Sequence, residues 1–295
     1  MKTHLSVIGK LLLSYAIVII GVFILALASI LVNIAAGNGT VVFDEDFGGW
    51  TLYAQTVLFV LSAMLMHAAF ERKKGWSLGI RQPRAVPMTV QGMGAGIALI
   101  SLSAVLIWLF GGAQWTTVPF TGDVAAAMAE GALLFICVAV SEEIFSRGYM
   151  QGLLRYHYGG MIAMIVSSAV FALMHGMNDA VFSTPFPIIN LFLAGFLMAL
   201  ARELTGGLWW PIGLHLTWNY VQGHIYGFKV SGTVTEGTLL QAEPAGPVWL
   251  SGGDFGIEGS LLSVIMLVAG CAGVYFLYRR KPVSGDPSLA NFKKH

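Results

Sequence analysis

Long apolar runs separated by short polar stretches dominate this 295-residue chain. Eight of them approach or exceed the roughly 20 residues that an α-helix needs to cross a hydrocarbon core. They fall at about 11–34, 52–70, 88–110, 125–145, 160–177, 188–204, 208–226 and 260–278. Polar residues blur the ends of the fourth and fifth. The segments left outside the membrane are about 35–51, 71–87, 227–259 and the C-terminal tail. Of these, 227–259 is rich in Gly, Thr and Pro and reads as a loop, not a domain. The pattern predicts an all-α fold, a polytopic membrane helix bundle of about eight transmembrane helices. Residues 1–295 then form a single integral-membrane domain.

Composition agrees with the pattern, because 56% of residues are hydrophobic and only 11% charged, against about 25% in average chains. The mean hydropathy is +0.75. Charge then orients the spans. On an eight-span scheme Lys2, Lys10, Arg72, Lys73, Lys74, Arg81, Arg84, Arg147, Arg155, Arg202, Arg279, Arg280, Lys281, Lys293 and Lys294 fall on one side, and Lys229 falls on the other. Asp44, Glu45, Asp46, Asp123, Asp179, Glu236, Glu243, Asp254 and Glu258 gather opposite the basic set. Lys/Arg excess marks the cytoplasmic side, so both termini are expected there, in a bacterial cytoplasmic membrane. The basic cluster over 72–84 is explained as a topology determinant lying on anionic lipid, and no nucleic-acid partner is expected. Ala26-Leu27-Ala28 resembles a signal cleavage site, but the apolar run continues to Ile34, too long for a signal core, so an uncleaved first span is expected. Cys137 and Cys271 lie within spans and imply no disulfide framework.

Chemistry must come from the few polar residues at membrane depth, where a charge costs on the order of 2.5–3.5 kcal/mol by insertion scales. Glu142, Glu143 and Arg147 lie on or just beyond the end of the fourth apolar run, His175 lies near the end of the fifth, and His215 and Asn219 lie in the seventh. In a helix Glu142 and Glu143 diverge by about 100 degrees, so they are not expected to point into one site. Glu143 is four residues before Arg147, the order that favours a helix ion pair, which leaves Glu142 as the free carboxylate. The plain alternative is that both glutamates mark a helix end at the interface. For His175, His215 and Asn219 it is hydrogen-bonded packing between helices.

Together, a carboxylate, two imidazoles and a carboxamide form a set able to hydrolyse an amide. Glu142 could take a proton from water. His175 could share that water or protonate the leaving amine, and His215 with Asn219 could hold the oxyanion. Glu142, His175 and His215 could instead make a three-ligand zinc site. The residues alone leave both open. Straight spans would also place His215 roughly 10 Å and His175 roughly 20 Å from the cytoplasmic boundary. Bringing them level with Glu142 requires the fourth helix to run past Arg147, to about Leu154. Gly148, Gly152, Gly159 and Gly160 would then let it pack closely and turn.

EEIFSR at 142–147, FALMH at 171–175 and HLTWN at 215–219 resemble the EExxxR, FxxxH and HxxxN motifs of the CPBP family, the CAAX-prenyl-protease and bacteriocin-processing (Abi) intramembrane endopeptidases. The resemblance covers about 124–226 and departs from none of the motifs. It implies an eight-helix endopeptidase with Glu142 activating water and His175 polarising it. It further implies His215 and Asn219 as the oxyanion pair, and Glu143 with Arg147 as structural support. A metal-free mechanism without cofactor is the favoured reading, with zinc the alternative. Substrates would be peptides or proteins presented at the cytoplasmic side or within the bilayer. A bacterial source would argue against a prenylated CAAX tail. Two other functions compete: a secondary transporter with an intramembrane Glu/His site, and a non-catalytic immunity or interaction protein of the same fold. Glu130 is left outside the site, and Trp218, too deep for an aromatic belt, could wall it. Oligomeric state is not readable.

Overall fold

The computed structural model describes residues 2–35 and 50–280. The expectations for Asp44, Glu45, Asp46, Lys281, Lys293 and Lys294, and for the Lys2 side chain, lie outside what is described. In chain order the elements begin with α1 (Lys2–Ala35), α2 (Trp50–Met66), α3 (Ala85–Leu109), β1 (Ala113–Thr117) and α4 (Gly122–Glu143). They continue with α5 (Gln151–Tyr158), α6 (Gly160–Met174), α7 (Pro185–Thr205), α8 (Trp209–Tyr220), β2 (Leu240–Pro244), α9 (Val248–Ser251) and α10 (Leu261–Tyr278). All eight apolar runs are helical, and the fold is an all-α bundle with one two-stranded antiparallel ribbon pairing Ala113 with Pro244 and Thr117 with Leu240. Among the described residues six helices are long and apolar enough to cross a membrane, while Gly160–Met174 is a shorter apolar helix. The other short rod is α8, prolonged by a π-helical turn over Val221–Ile225.

Local chemistry sets the helix ends. The Thr121 hydroxyl accepts the Val124 amide at 3.3 Å to start α4, and Ser260 accepts that of Ser263 at 3.1 Å to start α10. Gly206, with φ of 77°, stops α7 in the left-handed conformation that glycine tolerates. α4 does not stop at Glu143. It passes through a π-helical stretch, Ile144–Met150, directly into α5, so one rod runs from 122 to 158 as expected.

Ion pairs tie one end of the bundle together. Lys10 and Lys74 bind the fully buried Glu71 at 2.6 and 3.1 Å, and Arg155 binds Glu203 at 2.6 Å. Arg84 precedes α3 there, and Arg279 follows α10. The opposite end carries the β ribbon, Asp123, Asp179, Glu236, Glu243 and Glu258, and the Lys229–Asp254 pair at 3.1 Å. Large apolar side chains such as Leu12, Ile19, Phe23 and Val32 of α1 point outward, as expected when lipid is the solvent.

Two stretches read as extramembrane connections are built into the bundle. Residues 75–84 fold back under it at the basic end: Trp209 donates its indole N–H to the Ile80 carbonyl at 2.8 Å, Gln82 donates to Thr205 at 2.9 Å, and Leu208 N–H donates to Gly79 at 3.1 Å. Residues 227–259 contain β2, α9 and a tight hairpin, Val230–Thr233, whose central Ser231 and Gly232 have φ of 48° and 88°. Two positive φ values in a two-residue loop are the signature of a type I′ turn.

Candidate active site

The height problem posed by straight spans is solved by where α8 begins. Its first residues sit deep in the bundle, beside Gly148, where an added Cβ would meet the Leu78 carbonyl at 3.1 Å and Leu208 Cδ1 at 3.4 Å. Glycines lock α8 at that height. A Cβ on Gly92 or Gly96 of α3, or on Gly213 of α8, would meet backbone oxygen of the other helix at 2.0, 2.6 or 2.2 Å. By rise per residue, Glu142 and His175 lie roughly 26 and 24 Å from the Gly159 turn that joins α5 to α6, and His215, six residues into α8, comes to a similar height.

Glu142, His175, His215 and Asn219 line one cavity of about 470 Å³. Glu142 Oε2 lies 4.0 Å from His215 Nε2. The other ring nitrogen, Nδ1, is 3.0 Å from Glu143 Oε1, which also accepts from Arg147 Nη1 at 3.0 Å. The carboxylate cannot donate, so His215 carries its proton at Nδ1 toward Glu143 and turns Nε2 to Glu142. Both Glu143 and Arg147 are 0% exposed, and Arg147 also donates to the Gly195 carbonyl at 3.1 Å. His175, the residue that ends α6, donates Nδ1–H to the Phe171 carbonyl at 2.9 Å, leaving Nε2 free for the cavity. Phe171 is the hub: Arg147 lies 4.2 Å over its ring, and His175 and His215 pack at 4.8 and 6.2 Å.

Residues 124–221 match the family model described as Rce1-like, type II CAAX prenyl endopeptidase. That model is one of the CPBP family, whose three motifs the segment resembles. No curated protein matches the chain. The matched segment contains α4 to α8 and all three motifs.

Several sequence expectations change on this core. Glu143 does form the ion pair with Arg147, but it does not leave the histidines to Glu142 alone. The divergence of about 100 degrees is accommodated because the two nitrogens of one imidazole face different ways, so His215 bridges both carboxylates. Glu130, left outside the site, lines the same cavity from α4, as do Glu236 and Glu258 from the 227–259 segment. Trp218 walls the cavity as expected and donates to Glu258 at 3.2 Å. None of the glutamates in 227–259 belongs to a motif, and only the contiguity of Glu258 with the last helix gave any sign of it. The π-helical stretches after Glu143 and after Tyr220 have no sequence signature, though such stretches are frequent at functional sites.

The zinc alternative asks Glu142, His175 and His215 to act as a ligand set. Among the described residues no three His, Cys, Asp or Glu groups gather as a metal-holding cluster. Both histidines have Nδ1 committed, to Glu143 and to Phe171, and keep Nε2 toward the cavity, an orientation that metal-bound histidines also adopt. No step is routed through a metal.

Proposed function

We propose that this protein is an intramembrane endopeptidase that hydrolyses a peptide bond with water activated by Glu142. The observation that carries the proposal is the convergence of Glu142, His175, His215 and Asn219, from α4, the end of α6 and α8, on one cavity inside an apolar bundle. The CPBP match supports the reaction class.

In the proposed reaction, water lies between Glu142 and the Nε2 edge of His175. Glu142 takes one proton as the water oxygen bonds to the carbonyl carbon. The carbonyl oxygen becomes an oxyanion, which the Asn219 amide and His215, carrying a second, solvent-derived proton on Nε2 besides that on Nδ1, stabilise by donating hydrogen bonds. Glu143 holds His215 through Nδ1 and is itself neutralised by Arg147, so the ring keeps one orientation through the cycle. The proton on Glu142 then passes, directly or through His175, to the leaving nitrogen. The C–N bond breaks, and an amine and a carboxylic acid are released, the acid giving its proton to solvent to leave as the carboxylate. The chemistry does not need a prenyl group on the substrate.

The test compares Glu142→Gln and Glu142→Ala with wild type on a quenched fluorescent peptide library in detergent, with and without chelator. Both variants are expected to lose at least about 100-fold in kcat/KM, the scale of general-base catalysis, and chelator is expected to leave wild type unchanged. Undiminished cleavage by the variants would remove Glu142 from the mechanism. Loss on chelation that zinc restores would overturn the metal-free route. Solute flux across vesicles without cleavage would favour the carrier alternative.

A further inference from the structure

Away from Glu142 the cavity carries a second set of polar groups that the proposed reaction does not use. His224, in the π-helical turn that prolongs α8, lines the cavity and is 2% exposed. Its Nδ1 lies 2.8 Å from the Gly237 carbonyl oxygen, which can only accept, so the ring proton sits on Nδ1 and Nε2 is an acceptor. That Nε2 is buried and has no hydrogen-bond partner among the described residues. Phe135 and Tyr220 hold the ring at 5.8 and 4.9 Å. Gly131 of α4 makes room for it, since a Cβ there would lie 1.8 Å from Nε2. Buried polar atoms are nearly always paired, so an unpaired acceptor in a cavity wall is a place for a donor from a ligand. The residues that precede these two glycines are Glu130 and Glu236, and both are exposed and line the same cavity. Gly237 brings them together: at φ of 66° it lies so close to α4 that a Cβ would meet Ala127 Cβ, one turn before Glu130, at 2.4 Å. Among the described residues neither glutamate has an ion-pair partner, and no Lys or Arg lines the cavity.

We propose that Glu130, Glu236 and His224 Nε2 form a subsite for a cationic nitrogen of the substrate, on a Lys or Arg side chain or at the free amino terminus of a peptide. The proposal rests on the endopeptidase reading and gives it a selectivity. Two carboxylates and an imidazole nitrogen all accept, so a donor-rich cation satisfies the set and an acidic side chain is repelled by it. Glu258 is not part of the subsite, because Trp218, Gln222 and Ser231 already supply its donors. Helix rise sets the register. His224 is nine residues beyond His215, roughly 13 Å, and Glu130 is twelve before Glu142, roughly 18 Å. An extended peptide advances about 3.3–3.6 Å per residue, so the cation belongs about four or five residues from the bond that is cut.

Peptides carrying a single Lys, norleucine or Glu at each position in turn, on either side of the cleaved bond, test the subsite in detergent. At one register about four or five residues away, wild type is expected to favour Lys over norleucine at least about tenfold in kcat/KM, the scale of a hydrogen bond to a charged group. Glu130→Gln and Glu236→Gln are each expected to lower that ratio about threefold, the scale of one exposed ion pair. Glu130→Lys is expected to turn the preference toward Glu. His224→Phe keeps a ring over Gly131 and removes the acceptor, and should lower the ratio as well, which a ring that only packs would not do. Acetylating the amino terminus separates the two sources: a preference kept on acetylation assigns the side chain, and one lost on it assigns the terminus. No preference for Lys at any register, or one that survives in every variant, overturns the proposal. Binding of labelled Lys and norleucine peptides to Glu142→Gln, read by fluorescence anisotropy, needs no turnover. If wild type cleaves nothing, the endopeptidase reading fails, while tighter binding of the Lys peptide still supports the subsite and equal binding overturns it.

Discussion

Glu143 and Glu258 are both buried carboxylates that grip helix α8, one at the floor of the cavity and one at its roof, and they are satisfied by different chemistry. Glu143 has a cation, Arg147 at 3.0 Å, and a titratable ring, His215 at 3.0 Å. Glu258 is 4% exposed and has neutral donors: Trp218 Nε1 at 3.2 Å, Gln222 Nε2 at 3.3 Å, and the amide and hydroxyl of Ser231 at 2.6 and 2.9 Å. A charge balanced by a charge can hold a reactive side chain in place while that side chain changes its own charge. One held by dipoles fixes only position. The floor is therefore built for chemistry and the roof for shape.

Removing the cation at the floor should have the largest effect. Arg147→Leu leaves Glu143 buried without its counter-charge and also removes the bond to the Gly195 carbonyl and the packing over Phe171. Breaking a buried pair on one side costs about 3–5 kcal/mol. The variant is expected to unfold far below the wild-type temperature in detergent, or to fail to accumulate. Wild-type stability would show that the pair is not what holds the floor.

Isosteric changes at the two glutamates then separate chemistry from shape. Glu143→Gln keeps an oxygen that can accept from both Arg147 and His215 but removes the negative charge that balances Arg147 and supports a charged His215. In serine proteases the corresponding loss is about 10⁴ in kcat, and at least about 100-fold is expected here, with little change in KM. Glu258→Gln places an N–H against existing donors, which should lower stability by about 1–3 kcal/mol and reduce kcat per folded molecule by less than about tenfold. Steady-state kinetics beside thermal unfolding reads both. Equal kinetic losses would dissolve the distinction between floor and roof.

The same contrast shows what was legible in the chain. The floor is a local device: Glu143 and Arg147 are one helical turn apart, and His215 and Asn219 repeat that spacing, so helix periodicity alone brought the motifs into view. The eight rods were legible because bilayer thickness dictates run length. The roof joins residues 27 to 40 positions apart through turns whose geometry depends on φ signs, and Gly, Thr and Pro composition showed only that the segment was not a span. Depth was illegible for a related reason. The height of α8 is set by backbone approach at Gly92, Gly96 and Gly213; the four-residue spacing of Gly92 and Gly96 marks a close-packing face but names neither the partner helix nor its depth. Segment 75–84 misled because its basic residues set topology while Trp76 and Leu78 plug the bundle.

The smallest effect expected lies at the tip of the roof, where two terms oppose each other. Ser231 donates its hydroxyl to Glu258 at 2.9 Å but sits at φ of 48°, a left-handed conformation that costs a residue with a Cβ roughly 1–2 kcal/mol. Ser231→Ala loses the hydroxyl bond, worth about 1.5–3 kcal/mol to a charged acceptor, and keeps the strain. Ser231→Gly loses the same bond but is free to adopt positive φ, so it should be the more stable of the two by about 1 kcal/mol. Both retain the amide that donates to Glu258 at 2.6 Å, so both should keep the hairpin and hydrolyse peptide at close to the wild-type kcat. Thermal unfolding of the two variants side by side checks the order. If alanine proves the more stable, hairpin strain is not part of how the roof is held, and the Glu258 network alone shapes the outer wall of the cavity.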